Sequence, residues 1–99
     1  MTAPTHPLDR ATQLVRHPDG TLSGRTEPAY ANMVGPFGGT TAAAMLNAAL
    51  THPDRLGDPV ALTVNYAGAV ADGEFRIDAA PMRTNRSPQH WSITMTQGD

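Results

Sequence analysis

The sequence predicts an α+β domain in which an antiparallel sheet curves around one buried helix. Three observations support this fold class: an uncharged helix-forming stretch near the middle, alternating apolar and polar residues after it, and short connections between the alternating runs. At 99 residues, the chain has room for one domain with a modest core. We expect residues 1–10 to be a loose N-terminal lead-in and residues 11–99 to form the domain.

The predicted helix spans about residues 39–51 and starts at a pair of glycines, 38–39. Alanine, leucine and methionine dominate the stretch, and all three are strong helix formers. Thr40 or Thr41 is expected to cap the free N–H groups of the first turn. No Asp, Glu, Lys or Arg occurs from residue 28 to residue 53, whereas a surface helix carries charge on one side. We therefore expect other structure to enclose this helix.

After the helix the sequence changes to a period of two, which predicts three strands. The alternating apolar residues are Leu62, Val64 and Tyr66 in the first run, Phe75, Ile77 and Ala79 in the second, and Trp91, Ile93 and Met95 in the third. The connections are too short for parallel crossovers, so neighbouring strands are expected to be antiparallel. Before the helix, Asp19 and Gly20 predict a hairpin turn between strands at about 12–16 and 21–26.

The third predicted strand leaves the sheet with an open edge. Residues 97–99, which read Gln-Gly-Asp, are typical of the start of a hairpin turn. We therefore expect a sheet that is incomplete at its C-terminal edge, with another subunit or the rest of a longer protein pairing there.

Composition argues against several classes of function. All seven basic residues are arginine, and the net charge of −2 gives no reason to expect nucleic acid or an anionic membrane as a partner. The absence of cysteine excludes disulfides and thiolate chemistry, and no residue spacing suggests a metal site or a cofactor. No signal-like or membrane-spanning pattern is evident, so we expect a cytoplasmic protein.

The residues around the helix start resemble a known family. Residues 30–39 read YANMVGPFGG, the helix follows, and residues 62–66 read LTVNY. The likeness continues through residues 83–87, which read RTNRS, and through Trp91. Together these motifs resemble the N-terminal hotdog repeat of acyl-CoA thioesterase II-like proteins over about residues 30–97, with phenylalanine-glycine-glycine as the most specific element.

The resemblance implies a hotdog fold, in which an antiparallel sheet wraps a central helix. It also implies hydrolysis of acyl-CoA thioesters to free acid and CoA, with acyl-CoA as the substrate and no cofactor. Proteins of this family are typically built from two fused hotdog repeats. On that basis the chain would be the N-terminal repeat of a double-hotdog enzyme, and its partner would be a second hotdog repeat or another copy in a homo-oligomer.

The resemblance also implies a site at the helix start. Gly38, Gly39 and Thr40 are the candidates for polarising the thioester carbonyl, because the free N–H groups and dipole of a helix N-terminus stabilise negative charge. The candidates for substrate binding are Phe37, Asn65, Asn85, Arg86 and Ser87. A tight packing point is the weaker alternative for the glycines. For Asn65, an ordinary solvated strand residue is the preferred interpretation over a site role. For the arginine-containing turn at residues 83–87, an exposed hairpin turn is preferred over CoA binding.

A catalytic carboxylate is not evident near the helix. No acidic residue occurs between Glu27 and Asp54, and Asn47 in the middle of the helix cannot act as a base. The resemblance assigns the aspartate, hydroxyl residue and glutamine that handle water to a second repeat. We therefore expect half a site, with Glu27 or Asp54 contributing across an interface if the chain is active alone. His52 and His90 are expected to be ordinary surface or interface histidines.

Two classes of function follow from these observations. The first is an acyl-CoA thioesterase, or a portion of one, that acts through a site shared between repeats or subunits. The second is a non-catalytic hotdog module that binds an acyl chain or CoA, or only builds an interface. A hotdog hydratase is a weaker third option, because it would need a histidine and an aspartate near the helix start, and the sequence has neither there.

Overall fold

The computed structural model describes residues 6–32, 35–36, 38–84 and 88–98. Within these residues the elements, in chain order, are α1 (Pro7–Thr12), β1 (Val15–Arg16), β2 (Leu22–Arg25), a 3-10 helix (Pro28–Tyr30), β3 (Ala31–Asn32), β4 (Gly35–Pro36), α2 (Gly38–Leu50), β5 (Glu74–Thr84) and β6 (Gln89–Thr96). One sheet has the order β1-β2-β5-β6, and β3 pairs with β4 in a separate ribbon. All pairings are antiparallel, and the predicted α+β class is confirmed.

The first helix differs from the loose N-terminal lead-in that the sequence led us to expect. Proline at the first helical position, Pro7, is pre-organised for a helix, and the His6 Nδ1 atom accepts a hydrogen bond from the Leu8 N–H group at 3.1 Å. The Asn47 side chain of α2 donates a hydrogen bond to the Thr12 carbonyl oxygen at 2.8 Å. α1 therefore lies against α2, and Asn47 joins the two helices.

The predicted hairpin before α2 is present, although its strands are shorter than expected. Gly20 has a φ of +88° in the turn, a conformation that glycine adopts without strain. β1 pairs with β2 through Val15 and Ser23. β2 also pairs with β5, where Leu22 lies opposite Ile77, so the hairpin belongs to the same sheet as the strands that follow α2.

α2 begins and ends one residue earlier than predicted. Thr40 and Thr41 consequently lie inside the first turn, so neither is the N-cap residue, and the position before the helix falls outside the described residues. Ala44 and Ala48 are fully buried, and their small side chains let the sheet approach the helix closely. Most other α2 residues are half-buried and Gly39 is exposed, so the expected enclosure of this helix is partial.

The core lies between α2 and the inner face of the sheet. Its buried members are Leu22, Ala44, Ala48, Phe75 and Ile77. Leu14, Met45, Ala79, Ile93 and Met95 pack around them and are partly buried. The alternation predicted for the second and third runs after the helix is confirmed, because the apolar residues of β5 and β6 are the ones that pack toward α2.

The strand predicted over residues 60–66 does not form in the described structure. Leu62 and Tyr66 are exposed, and the segment belongs to neither sheet. A strand is stabilised by hydrogen bonds and side-chain pairs with a neighbouring strand, and an alternating sequence does not by itself provide that neighbour. The prediction of a strand here is wrong, and the segment is irregular backbone.

Candidate functional site

The start of α2 is exposed at Gly39 and bordered by Tyr66. The Tyr66 hydroxyl donates a hydrogen bond to the Gly38 carbonyl oxygen at 2.7 Å. A Cβ atom at Gly38 would lie 3.4 Å from that hydroxyl oxygen, which is ordinary van der Waals contact, so the hydrogen bond is what fixes the tyrosine at the helix start. The first N–H groups of a helix have no intrahelical acceptor, so this N-terminus can stabilise an oxygen that gains negative charge.

A small cavity of about 10 Å³ lies beside the first turn of α2. Thr40 and Thr41 line it from the helix, and Glu27 lines it from the chain that precedes the 3-10 helix. A space of this size holds about one water molecule. The acidic residue that precedes α2 in sequence therefore also lies beside the start of α2 in space.

Arg10 holds both carboxylate oxygens of Glu27. The Arg10 Nε atom lies 3.1 Å from Oε2 and the Nη2 atom lies 3.1 Å from Oε1, which is the bidentate geometry of a strong charge-assisted pair. The hydrogen bonds from Arg10 lower the pKa of the Glu27 carboxyl, against a smaller opposing effect of desolvation. Glu27 is thus an ionised but already engaged carboxylate, and a lowered pKa makes it a weak general base.

Replacing Glu27 with glutamine should make the free energy of unfolding less dependent on pH in acidic solution. The carboxyl pKa is lower in the folded state than its ordinary value of 4.5, so the carboxylate stabilises the folded chain above that value. This contribution is lost as the pH falls through the lowered folded-state pKa. The Glu27→Gln variant has no group that titrates here, so its free energy of unfolding should change less than that of the wild type between about pH 5 and pH 3.

Denaturant titrations at a series of pH values measure this difference. Glu74→Gln is the matched control, because the Glu74 carboxylate pairs with Arg25 but its side chain is 81% exposed. The control should follow the wild-type pH profile, since an exposed pair contributes little. A Glu27→Gln profile parallel to the wild type would contradict the role given to the Arg10–Glu27 pair.

The structure brings together part of the site predicted from the sequence. Gly38, Gly39 and Thr40 lie in the first turn of α2, as expected. Asn65 is exposed on irregular backbone, next to the tyrosine that contacts the helix, and its carbonyl oxygen accepts a hydrogen bond from the Ala67 N–H group at 3.1 Å. The other predicted substrate-binding residues lie outside the described residues: Phe37, Asn85, Arg86 and Ser87.

Asp54 and His52 lie at the opposite end of α2. The His52 ring packs edge to face on Trp91 with centroids 4.8 Å apart, and its Nδ1 atom accepts a hydrogen bond from the Asp54 N–H group at 3.0 Å. A helix of 13 residues, the length of α2, is about 20 Å long. Asp54 is therefore remote from the glycine start within this chain, and Glu27 is the nearer of the two acids considered from the sequence.

The Arg10–Glu27 pair is the feature of this site that sequence reasoning missed. Arg10 lies on α1, which was expected to be irregular, and it is 17 residues from Glu27 in the chain. The sequence does contain a signal for α1 itself. A capping side chain at His6, proline at Pro7 and an acidic residue at Asp9 are together typical of a helix N-terminus. That signal predicts the helix but not its ion pair.

A broader concavity lies away from the glycine start. It has a volume of about 830 Å³, and its lining residues include Ser23, Arg76 and Thr96. These three pair across β2, β5 and β6 and alternate with core residues, so they lie on the outer face of the sheet. His17 Nε2 lies 2.8 Å from Ser23 Oγ at this face. The described lining of the concavity includes none of the residues predicted for the site, so its size alone does not make it the site of the chemistry expected at α2.

Among the described residues, no group of three or more histidine, aspartate or glutamate side chains could hold a metal ion. The same residues contain no helix with the length and apolar character needed to span a bilayer. The candidate site is the glycine start of α2, where Tyr66 contacts the Gly38 carbonyl oxygen and Glu27 lines the adjacent cavity.

A family model matches most of the chain and all of the predicted site residues. The matching model is that of the acyl-CoA thioesterase N-terminal domain, and it covers residues 27–99. The chain belongs to this family. The match includes α2, β5 and β6, whereas Arg10 lies before it. The resemblance identified from the residues around the phenylalanine-glycine-glycine motif is thus confirmed.

Solved structures confirm the hotdog fold of this acyl-CoA thioesterase N-terminal domain. A hotdog-fold protein of unknown function from Alicyclobacillus acidocaldarius is 52% identical, with a TM-score of 0.88 over 95% of this chain and 35% of its own. A protein provisionally assigned as a thioesterase II, from Thermobifida fusca YX, is 20% identical, with a TM-score of 0.77 over 96% of this chain and 35% of its own. The second likeness shows the fold alone.

The chain spans about a third of the length of each of these two proteins. No curated protein matches the chain. The family model and the solved structures show the family and the hotdog fold of this chain.

Proposed function

We propose that this acyl-CoA thioesterase N-terminal domain takes part in the hydrolysis of acyl-CoA to free acid and CoA, as the N-terminal repeat of a double-hotdog enzyme. The observation that carries the proposal is the glycine start of α2, which is exposed at Gly39 and lies within the family match. The length of the similar structures, about three times that of this chain, is in keeping with a further repeat.

The helix start suits one half of the reaction. Water adds to the thioester carbonyl carbon, the carbonyl oxygen becomes an oxyanion, and the carbon–sulfur bond then breaks to release CoA as a thiol. The N–H groups of the first turn suit the oxyanion, because they have no intrahelical acceptor and are already oriented. Glycine at positions 38 and 39 leaves this backbone free of side chains of its own.

The other half of the reaction needs a base that accepts a proton from the attacking water. Glu27 lies nearby, but Arg10 occupies both of its oxygens and lowers its pKa. A carboxylate in this state is a poor proton acceptor. We assign the base to a second hotdog unit, either fused to this one or supplied by another copy.

A binding module without catalysis is the second candidate function. The engagement of Glu27 by Arg10 favours it for the chain in isolation, because the described residues near the helix start offer no other acid. Such a module would bind the acyl chain or CoA, or build an interface, and would release no thiol. Binding and release must therefore be measured on the same sample.

Release of free thiol from a panel of acyl-CoA thioesters tests the proposed hydrolysis. A thiol-reactive dye can be used directly, because the chain contains no cysteine. With the base supplied by another copy of the chain, release should exceed the uncatalysed rate and fall about tenfold or more in Gly39→Val, because a branched side chain would cover the N–H donors.

Gly57→Val is the matched control for this substitution. A Cβ atom at Gly57 meets no other atom within 4 Å, so the control should retain the wild-type rate. Circular dichroism of both variants checks that α2 is still formed. A folded chain that binds acyl-CoA and releases no thiol would contradict a base supplied by another copy, and would leave the binding module or a base on a fused repeat.

A further inference from the structure

The hairpin before α2 carries a serine and a histidine in direct contact. His17 follows β1 and Ser23 lies on β2, and the His17 Nε2 atom lies 2.8 Å from the Ser23 Oγ atom. In the tautomer that carries its proton on Nδ1, the imidazole can accept the hydroxyl proton at Nε2, which is how a histidine activates a serine nucleophile. Both side chains are half-buried and line the concavity on the outer face of the sheet, so a small molecule can reach them.

Backbone hydrogen bonds hold this pair in place. The His17 N–H group donates to the Thr21 carbonyl oxygen at 2.8 Å, and the Gly20 N–H group donates to the His17 carbonyl oxygen at 2.9 Å. Ser23 lies on β2, which pairs with β1 on one side and with β5 on the other. A catalytic pair on a strand and its tight turn keeps its geometry better than one on a long loop. The histidine and the serine are therefore already positioned for proton transfer.

Asp19 adds an acidic group to the same turn. Its Oδ1 atom accepts hydrogen bonds from the Thr21 N–H group at 3.0 Å and from the Thr21 hydroxyl at 2.6 Å. These hydrogen bonds lower the pKa of the Asp19 carboxyl, and the charges of Arg76 and His17 lower it further, against an opposing effect of desolvation. Asp19 is thus an ionised carboxylate close enough to His17 to favour the imidazolium that forms when the histidine takes a proton.

Arg76 places a positive charge beside the serine. It lies directly opposite Ser23 across β2 and β5, so the two side chains share one face of the sheet, with their Cβ atoms about 5 Å apart. Arg76 also lines the concavity. When a hydroxyl attacks a carbonyl carbon, the carbonyl oxygen gains negative charge, and a guanidinium group in this position can stabilise it.

We propose that Ser23, His17 and Arg76 form a second acyl-transfer site, which hydrolyses carboxylic esters on the outer face of the sheet. The Ser23 Oγ atom adds to the ester carbonyl carbon while its proton passes to the His17 Nε2 atom. The bond from the carbonyl carbon to the alcohol oxygen then breaks, and the alcohol leaves with that proton. Water next adds to the acyl-serine and gives a proton to His17, which returns it to the Ser23 Oγ atom as the acid is released.

This ester site is separate from the glycine start of α2. Ser23 lies on the outer face of the sheet, whereas α2 packs on the inner face, where Leu22 and Phe75 are buried. His17 and Ser23 also precede the family match, which begins at residue 27. The family likeness therefore does not account for this pair, and the proposal does not depend on the hydrolysis proposed at α2.

Hydrolysis of p-nitrophenyl acetate by the full chain tests the proposal. We expect p-nitrophenolate release above the uncatalysed rate, and mass spectrometry of an acid-quenched reaction should find one acetyl group on Ser23. Ser23→Ala removes the nucleophile, and His17→Gln keeps a hydrogen-bonding side chain but removes the base, so each should lower the rate by about tenfold or more. Arg76→Gln should lower the rate by about tenfold and still allow acetylation of Ser23.

Ser92→Ala is the matched control for the loss of a serine. Ser92 lies on β6, where it is exposed and pairs with Ala80 of β5. The control should keep the wild-type rate of ester hydrolysis. Circular dichroism of every variant checks that the fold is retained, and the position of the acetyl group in the wild type tests the nucleophile without any substitution.

The other outcomes overturn the proposal. No release above the uncatalysed rate from the folded chain would mean that the contact between His17 and Ser23 is structural only. Equal rates in the wild type and in Ser23→Ala would mean that the ester is cleaved elsewhere, the glycine start of α2 included. A rate that falls in Ser23→Ala but not in His17→Gln would show that His17 is not the base. An acetyl group found on His17 in both the wild type and Ser23→Ala would make the histidine itself the nucleophile.

Discussion

Replacing Ile77 with alanine should lower the free energy of unfolding by about 2–5 kcal/mol. Ile77 is 0% exposed and lies on β5 in the cluster that includes Ala44 and Ala48 of α2. The loss combines the transfer free energy of the removed carbons with the cavity that they leave. The alanines of α2 have no side chain that could move into this cavity, so relaxation should be limited. Domains of this size are usually stable by about 5–15 kcal/mol, so a large share of the total is at stake.

Urea or guanidinium titration measures the change, provided that the slope of the transition is the same for both chains. Met82→Ala is the matched control, because Met82 lies on the same strand and is 68% exposed. The control should change stability by no more than about 0.5 kcal/mol. If both variants lost the same amount, the core would not lie where β5 faces α2.

The alternation that identifies Ile77 as a core residue shows what the sequence can predict. Phe75 and Ile77 alternate with polar residues and are buried, as the period of two indicates. Leu62, Val64 and Tyr66 alternate in the same way but form no strand in the described structure. The pattern specifies which side chains would share a face, while a strand also needs a neighbouring backbone. The neighbouring strand comes from a distant part of the sequence, so the local pattern does not show whether it is present.

The same distinction applies to the candidate site. The glycine start of α2 could be predicted, because helix formers and glycines act within a few residues. The pairing of Arg10 with Glu27 could not, because it depends on how α1 packs on α2 through the contact of Asn47 with the Thr12 carbonyl oxygen. The pairing of β2 with β5 is a second long-range feature that no local signal encodes.

The predicted substrate-binding residues outside the described part of the chain stay predictions. Phe37 directly precedes α2, and Asn85, Arg86 and Ser87 lie between β5 and β6, so the elements around each of them are known. The resemblance that proposed them is confirmed at the level of the family, which assigns no role to an individual residue.

Replacing Gly24 with alanine should destabilise the domain by about 1–3 kcal/mol through overpacking. Gly24 lies on β2 directly opposite Phe75 on β5. A Cβ atom at Gly24 would stand 2.6 Å from Cε1 and Cζ of the Phe75 ring and 3.0 Å from a methyl carbon of Leu14. Phe75 is buried, so its ring cannot turn away without disturbing the core. The cost is steric, since Gly24 is not among the glycines with positive φ.

A double-mutant cycle separates this contact from a general intolerance of β2. In a Phe75→Leu background the ring atoms that obstruct the new methyl group are gone, so Gly24→Ala should cost less than in the wild type, with a coupling of about 1 kcal/mol or more. Gly57→Ala is the control for a glycine with open surroundings and without positive φ, and it should be neutral or stabilise by about 0.4–1 kcal/mol. An equal cost of Gly24→Ala in both backgrounds would show that the Phe75 ring is not the obstacle. The unequal cost that we expect would show that the hairpin and the strands after α2 share one packed sheet, because Gly24 and Phe75 come from opposite sides of α2 in the sequence.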